Sequence, residues 1–261
     1  FHDIGYPAEI TVNQVGKFLK FITSVDTSKP PVVHIGLDDF KKIDSIPEIA
    51  DKNYFTKEYL ERYPAAKSLN LLEPTDLLAH KLHLAFHIPL DKLVKALDDY
   101  IYELADLGFV DHGFYSSLIV LKWYGDLIQR SNQNPGILYY QILDCASAIL
   151  LHNYYKNYFT AEKRFNHGPM HMTEHPIAWL LILSDELQEW NRIAYGELDK
   201  QKVLANDVSL FIDESQMSVT YIAAKGKMKD GFGDEKEADM KRLLCLDEVF
   251  TKGFSIGCET M

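Results

Sequence analysis

Five residues scattered along the chain have the chemistry to hold divalent cations: His2, Asp3, His112, His152 and Asp185. Imidazole is the commonest neutral metal ligand, and a carboxylate is the usual bridge between two cations. Adjacent His2 and Asp3 point in different directions from a helix, yet both reach one cluster if the helix end faces it. The dipeptide alone arises by chance. Its companions carry the weight. His152 follows the apolar run Ala146 to Leu151, and Asp185 follows the run Ile177 to Leu183. Burying a polar group without a partner costs a few kcal/mol, and burying a charge costs more. Taken singly, each of the five reads as a hydrogen-bonded core or helix-end residue. Taken as an ordered set, they read as a shared metal site.

The elements that must position them are mostly helices. Apolar residues at helical spacing predict a helix from Ile10 to Val25. Residues 26–74, with four proline-containing breaks, read as an irregular insertion. Thr75 is placed as the N-cap of a helix running to Phe86, and Pro89 in the first turn of one running to Leu107, with Gly108 as its stop. Further helices are expected at Gly113–Arg130, Ile137–Tyr158 and Pro176–Tyr195, with a loop over 160–174. Val208–Ile212 and Ser218–Ala223 read as strands joined by a turn at 213–216. A charged loop, an amphipathic helix Ala238–Phe250 and a short strand Gly253–Cys258 follow. The expected fold class is therefore mainly α. Residues 1–203 would form a helical domain and 204–261 a small α+β appendage.

The order His-Asp, His, His, Asp on successive helices resembles the HD superfamily of metal-dependent phosphohydrolases. The motifs that carry the resemblance are Phe1-His2-Asp3-Ile4-Gly5-Tyr6-Pro7, Asp111-His112-Gly113, Leu151-His152-Asn153 and the helix from His175 to Gln188. It covers roughly residues 1–195, without the insertion. The family pattern has one more histidine, on a helix before the His-Asp pair. The sequence opens at Phe1, with no initiator Met, so an upstream segment is expected, and either that ligand lies in it or the site is incomplete.

The resemblance implies an HD-type bundle holding two divalent cations (Mn, Fe, Zn, Ni, Co or Mg). Asp3 would bridge them, His2 and Asp185 would serve one, and His112 and His152 the other. Asp3 and Asp185 would be the catalytic carboxylates. A metal-activated water would attack phosphorus in line, so the substrate would be a phosphoester or nucleotide. Beside the ligands in sequence, Asp111 and Asn153 are placed as orienting partners, and Lys163, Arg164 and Arg192 as phosphate contacts. Two other readings stay open: a regulatory module that binds a nucleotide or partner without turnover, and a di-iron oxygenase.

Composition sets the outer limits. The chain has 261 residues, 47% hydrophobic and 25% charged, which suits a globular protein with a substantial core. A net charge of -11 repels phosphate backbones and argues against nucleic-acid binding. Three sparse cysteines, Cys145, Cys245 and Cys258, make no disulfide framework and point to a reducing, cytoplasmic setting. Cys145 is expected to be buried in its apolar helix. Neither a signal peptide nor a membrane-spanning run is evident, and an oligomer is compatible with the composition. His80, His83 and His87 share a helix face but lack the interleaved acid of a zinc-protease motif, so they read as core or surface histidines. His175 reads as a helix cap.

Overall fold

A computed structural model describes residues 3–5, 7, 9–11, 14–15, 61, 74–107, 111–131, 141–188 and 203–261. Among these the chain is mainly α, with one three-stranded sheet. No helix among them is long and apolar enough to cross a membrane. The chain divides into two compact units, Phe1–Tyr154 and Tyr155–Met261. The break falls earlier than the 203/204 boundary expected from the change in residue pattern. The loop after residue 160 and the helix that follows it fall in the second unit, where Met170 bridges Leu244 and the Leu187 carbonyl accepts the Tyr221 hydroxyl.

The first unit contains helices α1 (Pro74–Phe86), α2 (Leu90–Leu107), α3 (His112–Ser131) and α4 (Leu143–Tyr154). The starts of α1, α2 and α3 differ from expectation by a residue, whereas α4, expected over Ile137–Tyr158, is α-helical only over Leu143–Tyr154 and follows π-helical residues 141–142. Pro74, rather than a capping Thr75, opens α1, since proline's fixed φ suits the first turn. The carbonyl of Pro89 receives the Lys92 and Leu93 amides, so Pro89 sits just ahead of α2. α3 packs on α4, and α1 packs on both α2 and α4. Leu78, Leu82, Leu97, Phe114, Leu121 and Leu150 are fully buried between them. Tyr100 ties three helices together, edge-on to Phe114 at 5.6 Å and to Tyr154 at 5.0 Å. Cys145 is exposed, against expectation. The run beginning at Ala146 is buried, and position 145 falls on the outward face of the same helix. Residues 9–11 and 14–15 are helical. The rest of the expected helix to Val25 lies outside the described residues, as do Gly108, residues 132–140 and nearly all of 26–74.

The second unit begins with a π-helical turn, Tyr155–Phe159, where a regular α-helix was expected to Tyr158. Helix α5 spans Pro176–Leu187 and is shorter than the sequence suggests. Gln188 leaves the helical region, and the Leu187 carbonyl accepts the Tyr221 hydroxyl at 2.7 Å. That long-range bond satisfies a helix-end carbonyl that the next turn would otherwise take. Residues 189–195 lie outside the described set. Strands β1 (Val203–Ile212) and β2 (Gln216–Met228) form an antiparallel hairpin, and β3 (Gly253–Thr260) pairs parallel to β2. Asp213 Oδ1 accepts the amides of Ser215 and Gln216, both at 2.7 Å, which closes the hairpin turn. Both strands run further than expected because ladder bonds carry polar residues along with the apolar ones. The last helix, α6, is Phe232–Leu243 rather than Ala238–Phe250. Asp234 and Glu235 occupy its first turn, where the helix dipole favours acids. It stops because Leu244 turns extended and bridges in parallel with Met170. Leu246–Glu248 then form a 3-10 turn.

Candidate metal centre

The histidine pair of the first unit is built by two facing helices. Asp111 caps α3, its Oδ1 accepting the amides of Gly113 at 2.8 Å and Phe114 at 3.3 Å. Its other oxygen accepts the Tyr100 hydroxyl at 2.5 Å, and Asn153 donates to Oδ1 at 2.9 Å. Asp111 is 1% exposed, so this full set of donors is what lets a carboxylate remain there. The capped start of α3 fixes His112 against His152, near the end of α4. Their Nε2 atoms lie 3.1 Å apart, with ring centroids at 5.1 Å. Asn153 Nδ2 sits 3.4–3.5 Å from the His112 ring nitrogens.

Close approach of the helices depends on a glycine. A Cβ at Gly113 would sit 2.6 Å from His152 Cε1 and 2.9 Å from the Ile149 carbonyl oxygen. The N-terminal segment is anchored in the same place. The Gly5 amide donates to Ser116 Oγ at 2.7 Å, and a Cβ at Gly5 would meet the His112 carbonyl oxygen at 2.5 Å. That anchor leaves Asp3 Oδ1 3.7 Å from His112 Nε2 and Glu9 Oε2 2.7 Å from His112 Nδ1.

The tautomers follow from these partners. His152 Nδ1 faces the Ile149 carbonyl oxygen, which can only accept, so Nδ1 carries the proton. His112 Nδ1 faces the Glu9 carboxylate and carries a proton likewise. In neutral rings both Nε2 atoms are then lone pairs pointing at each other. A cation or an extra proton between them would turn that repulsion into attraction. Burial disfavours the charged ring of His112, but the hydrogen bond and charge of Glu9, followed by Asp111 and Asp3, outweigh it and raise its pKa. Two imidazole nitrogens, each about 2.1 Å from one cation, lie about 3.0–3.4 Å apart at ordinary coordination angles. The observed 3.1 Å fits that donor set. Glu9 then supplies the carboxylate–histidine pairing that usually backs a metal-bound ring.

No protein-family model, no curated protein and no solved structure matches the chain. The site's own chemistry is therefore what bears on function.

Of the expected site residues, the first unit brings together Asp3, His112, His152, Asp111 and Asn153. Asp185 is half-buried on α5 in the second unit and stands assigned by resemblance alone. Lys163 and Arg164 are exposed in the second unit. His2 and Arg192 lie outside the described residues. Glu9 and Tyr100 were not anticipated. Glu9 is 103 positions from His112, and nothing in its local sequence marks it. His175 caps α5, its Nδ1 accepting the Ala178 amide at 3.3 Å. His80 is fully buried. Burial, then the charges of His83 and Lys81, push its pKa down to about 4. His83 Nδ1 bonds the Ile88 carbonyl at 2.7 Å. Tyr154, Tyr155 and Phe159 are core residues.

Proposed function

We propose that the chain is a metal-dependent phosphohydrolase of the HD type, acting on a phosphoester or nucleotide, with a divalent cation held at the facing Nε2 atoms of His112 and His152 beside Asp3. The observation that supports this reading is the pair of facing ring lone pairs at 3.1 Å, each ring fixed by an acceptor on its other nitrogen. A bound divalent cation there supplies Lewis-acid polarisation of a phosphoryl oxygen and a water acidic enough to ionise near neutral pH. Glu9 and the Ile149 carbonyl hold the two rings in their tautomers. Asp111, locked by Tyr100 and Asn153, holds the helix start that carries His112. Asp3, 61% exposed, reaches towards His112 from the solvent side and can take a proton or a ligand position.

The test is elemental analysis and metal titration of the purified chain, with turnover of a generic phosphomonoester and phosphodiester. We expect manganese, iron, zinc, nickel or cobalt to bind near-stoichiometrically and to support hydrolysis. His152→Ala should lower affinity by about 100-fold while helical content stays intact. Normal metal loading in His112→Ala and His152→Ala would remove the site, and a metal-loaded chain without phosphoester turnover would remove the hydrolase. One observation favours a second reading. The raised pKa of His112 allows an extra proton to bridge the rings in place of a cation. The unit would then be a binding module without turnover, and cation binding would be the same in His152→Ala as in the unaltered chain.

A further inference from the structure

The second unit holds another group of metal-ligating side chains, unrelated to the histidine pair. The parallel bridge between Met170 and Leu244 puts the next residue of each segment side by side: His171 and Cys245. The bridge is closed by Met170 N to Leu243 O at 2.8 Å and Cys245 N to Met170 O at 2.9 Å. Met170 and Leu244 are at most 1% exposed, so the two backbones are fixed from below. Cys245 also precedes the 3-10 turn Leu246–Glu248, which brings Glu248 round to the same side. His171 is held by its own loop, its amide donating to Glu174 Oε2 at 2.9 Å.

His171 Nε2 lies 3.7 Å from Cys245 Sγ, and His171 Nδ1 lies 2.8 Å from Glu248 Oε1. Among the described residues this is the set whose ligand atoms all lie within 4.8 Å of one another. A proton on Nδ1, held by the carboxylate, leaves the Nε2 lone pair facing the sulfur. A tetrahedral zinc ion, about 2.3 Å from sulfur and about 2.1 Å from nitrogen, sets those atoms about 3.6 Å apart. The observed spacing matches without rearrangement of the two backbones.

We propose that His171, Cys245 and Glu248 form a binding site for a zinc-class divalent cation, with the ring nitrogen and the sulfur as direct ligands, Glu248 holding the ring from its other nitrogen, and the two remaining tetrahedral positions open to water. Mixed sulfur, nitrogen and oxygen donors select zinc or cobalt over magnesium or calcium. The site clamps the 160–174 loop onto the turn that follows α6. Binding converts the Cys245 thiol to a thiolate on the cation and releases its proton to solvent. Burial, then the carboxylates of Glu248, Glu174 and Asp247, keep that thiol protonated at rest. The same carboxylates attract a cation, whose charge reverses the local preference. A protonated thiol at rest also argues against reading Cys245–His171–Glu248 as a nucleophile, base and orienting acid.

The test is titration of the full chain with cobalt chloride, reading the thiolate-to-cobalt charge-transfer band in the near ultraviolet. The band should appear and saturate, and in His152→Ala, which removes the other proposed cation site, it should saturate at one equivalent. It should persist in Cys145→Ser, Cys258→Ser and His152→Ala, vanish in Cys245→Ser, and need at least about ten-fold more cobalt in Glu248→Gln. Zinc chloride should abolish the band by competition and slow alkylation of Cys245 by iodoacetamide, as read by peptide mass spectrometry. The alkylation measurement uses the unaltered chain, so it decides the matter even if Cys245→Ser fails to fold. A band that survives Cys245→Ser would overturn the site, as would a Cys245 that zinc leaves unprotected or that alkylates faster than Cys145 and Cys258.

Discussion

Replacing the Glu186 carboxylate should cost the second unit several kcal/mol. It sits on α5 with its side chain 16% exposed, between Lys236 Nζ at 2.9 Å and Lys156 Nζ at 3.3 Å. Burial works against its charged form, but the Lys236 and then the Lys156 ammonium outweigh it and hold the carboxyl down at about 2, from an ordinary 4.5. That difference of about 2.5 units corresponds to about 3 kcal/mol in favour of the folded state. The contribution is fully present above pH 4.5 and is lost as the pH falls through 2, because a depressed acid keeps its proton off in the fold longer than in the unfolded chain. Within that window the slope is about 1.4 kcal/mol per pH unit. Glu186→Gln should therefore destabilise the chain by about 3 kcal/mol at pH 7. The assay is urea unfolding followed by the fluorescence of Trp179, which is fully buried in the same unit. The gap between the two proteins should close by about 2 kcal/mol between pH 4.5 and pH 3. Lys236→Met in the Glu186→Gln background should recover about half of the loss, since Lys236 is only 9% exposed and its ammonium would otherwise stay desolvated. Lys156 is 41% exposed on its side chain, and Lys156→Ala should cost less than about 1 kcal/mol. A Glu186→Gln protein within about 0.5 kcal/mol of the parent at pH 7, or a gap that stays constant down to pH 3, would refute the reasoning.

His80, held neutral at about 4 in the fold, makes stability fall as the pH drops from 6.5 towards 4, because only the unfolded chain takes up the proton in that range. His80→Leu should flatten that part of the pH–stability curve, as read by thermal melts in a buffer series. Gly113→Ala should destabilise the first unit by about 1–3 kcal/mol and weaken cation binding at least ten-fold, because the added Cβ would lie 2.6 Å from His152 Cε1; calorimetric titration checks the second effect. Tyr100→Phe removes a 2.5 Å hydrogen bond to the buried Asp111 carboxylate and should cost about 1.5–3 kcal/mol in urea unfolding.

The periodicity of apolar residues was enough to announce the helices and the hairpin. Helix α1 ends at Phe86 as expected, because a helix end set by a following proline, here Pro89, is a property of the neighbouring residues, while Gly108, the expected stop of α2, lies outside the described residues. The polar interruption at His152 was legible too, since a ligand-type side chain inside an apolar run needs a partner wherever the chain goes. Four things were out of reach. Helix α5 stops at Leu187 because a tyrosine 34 positions away donates to its carbonyl. Helix α6 stops at Leu243 because Leu244 is recruited by Met170. Glu9 joins His112, and Cys145 faces outwards, through the rotation and approach of whole elements. The sequence by itself determined which side chains could do chemistry and which segments would be helical, since both depend on residues within a turn or two. Only the tertiary structure decided that His112 meets His152 with both rings locked by acceptors, and that His171 meets Cys245. Such meetings depend on contacts between segments tens of residues apart, where local pattern carries no information about distance.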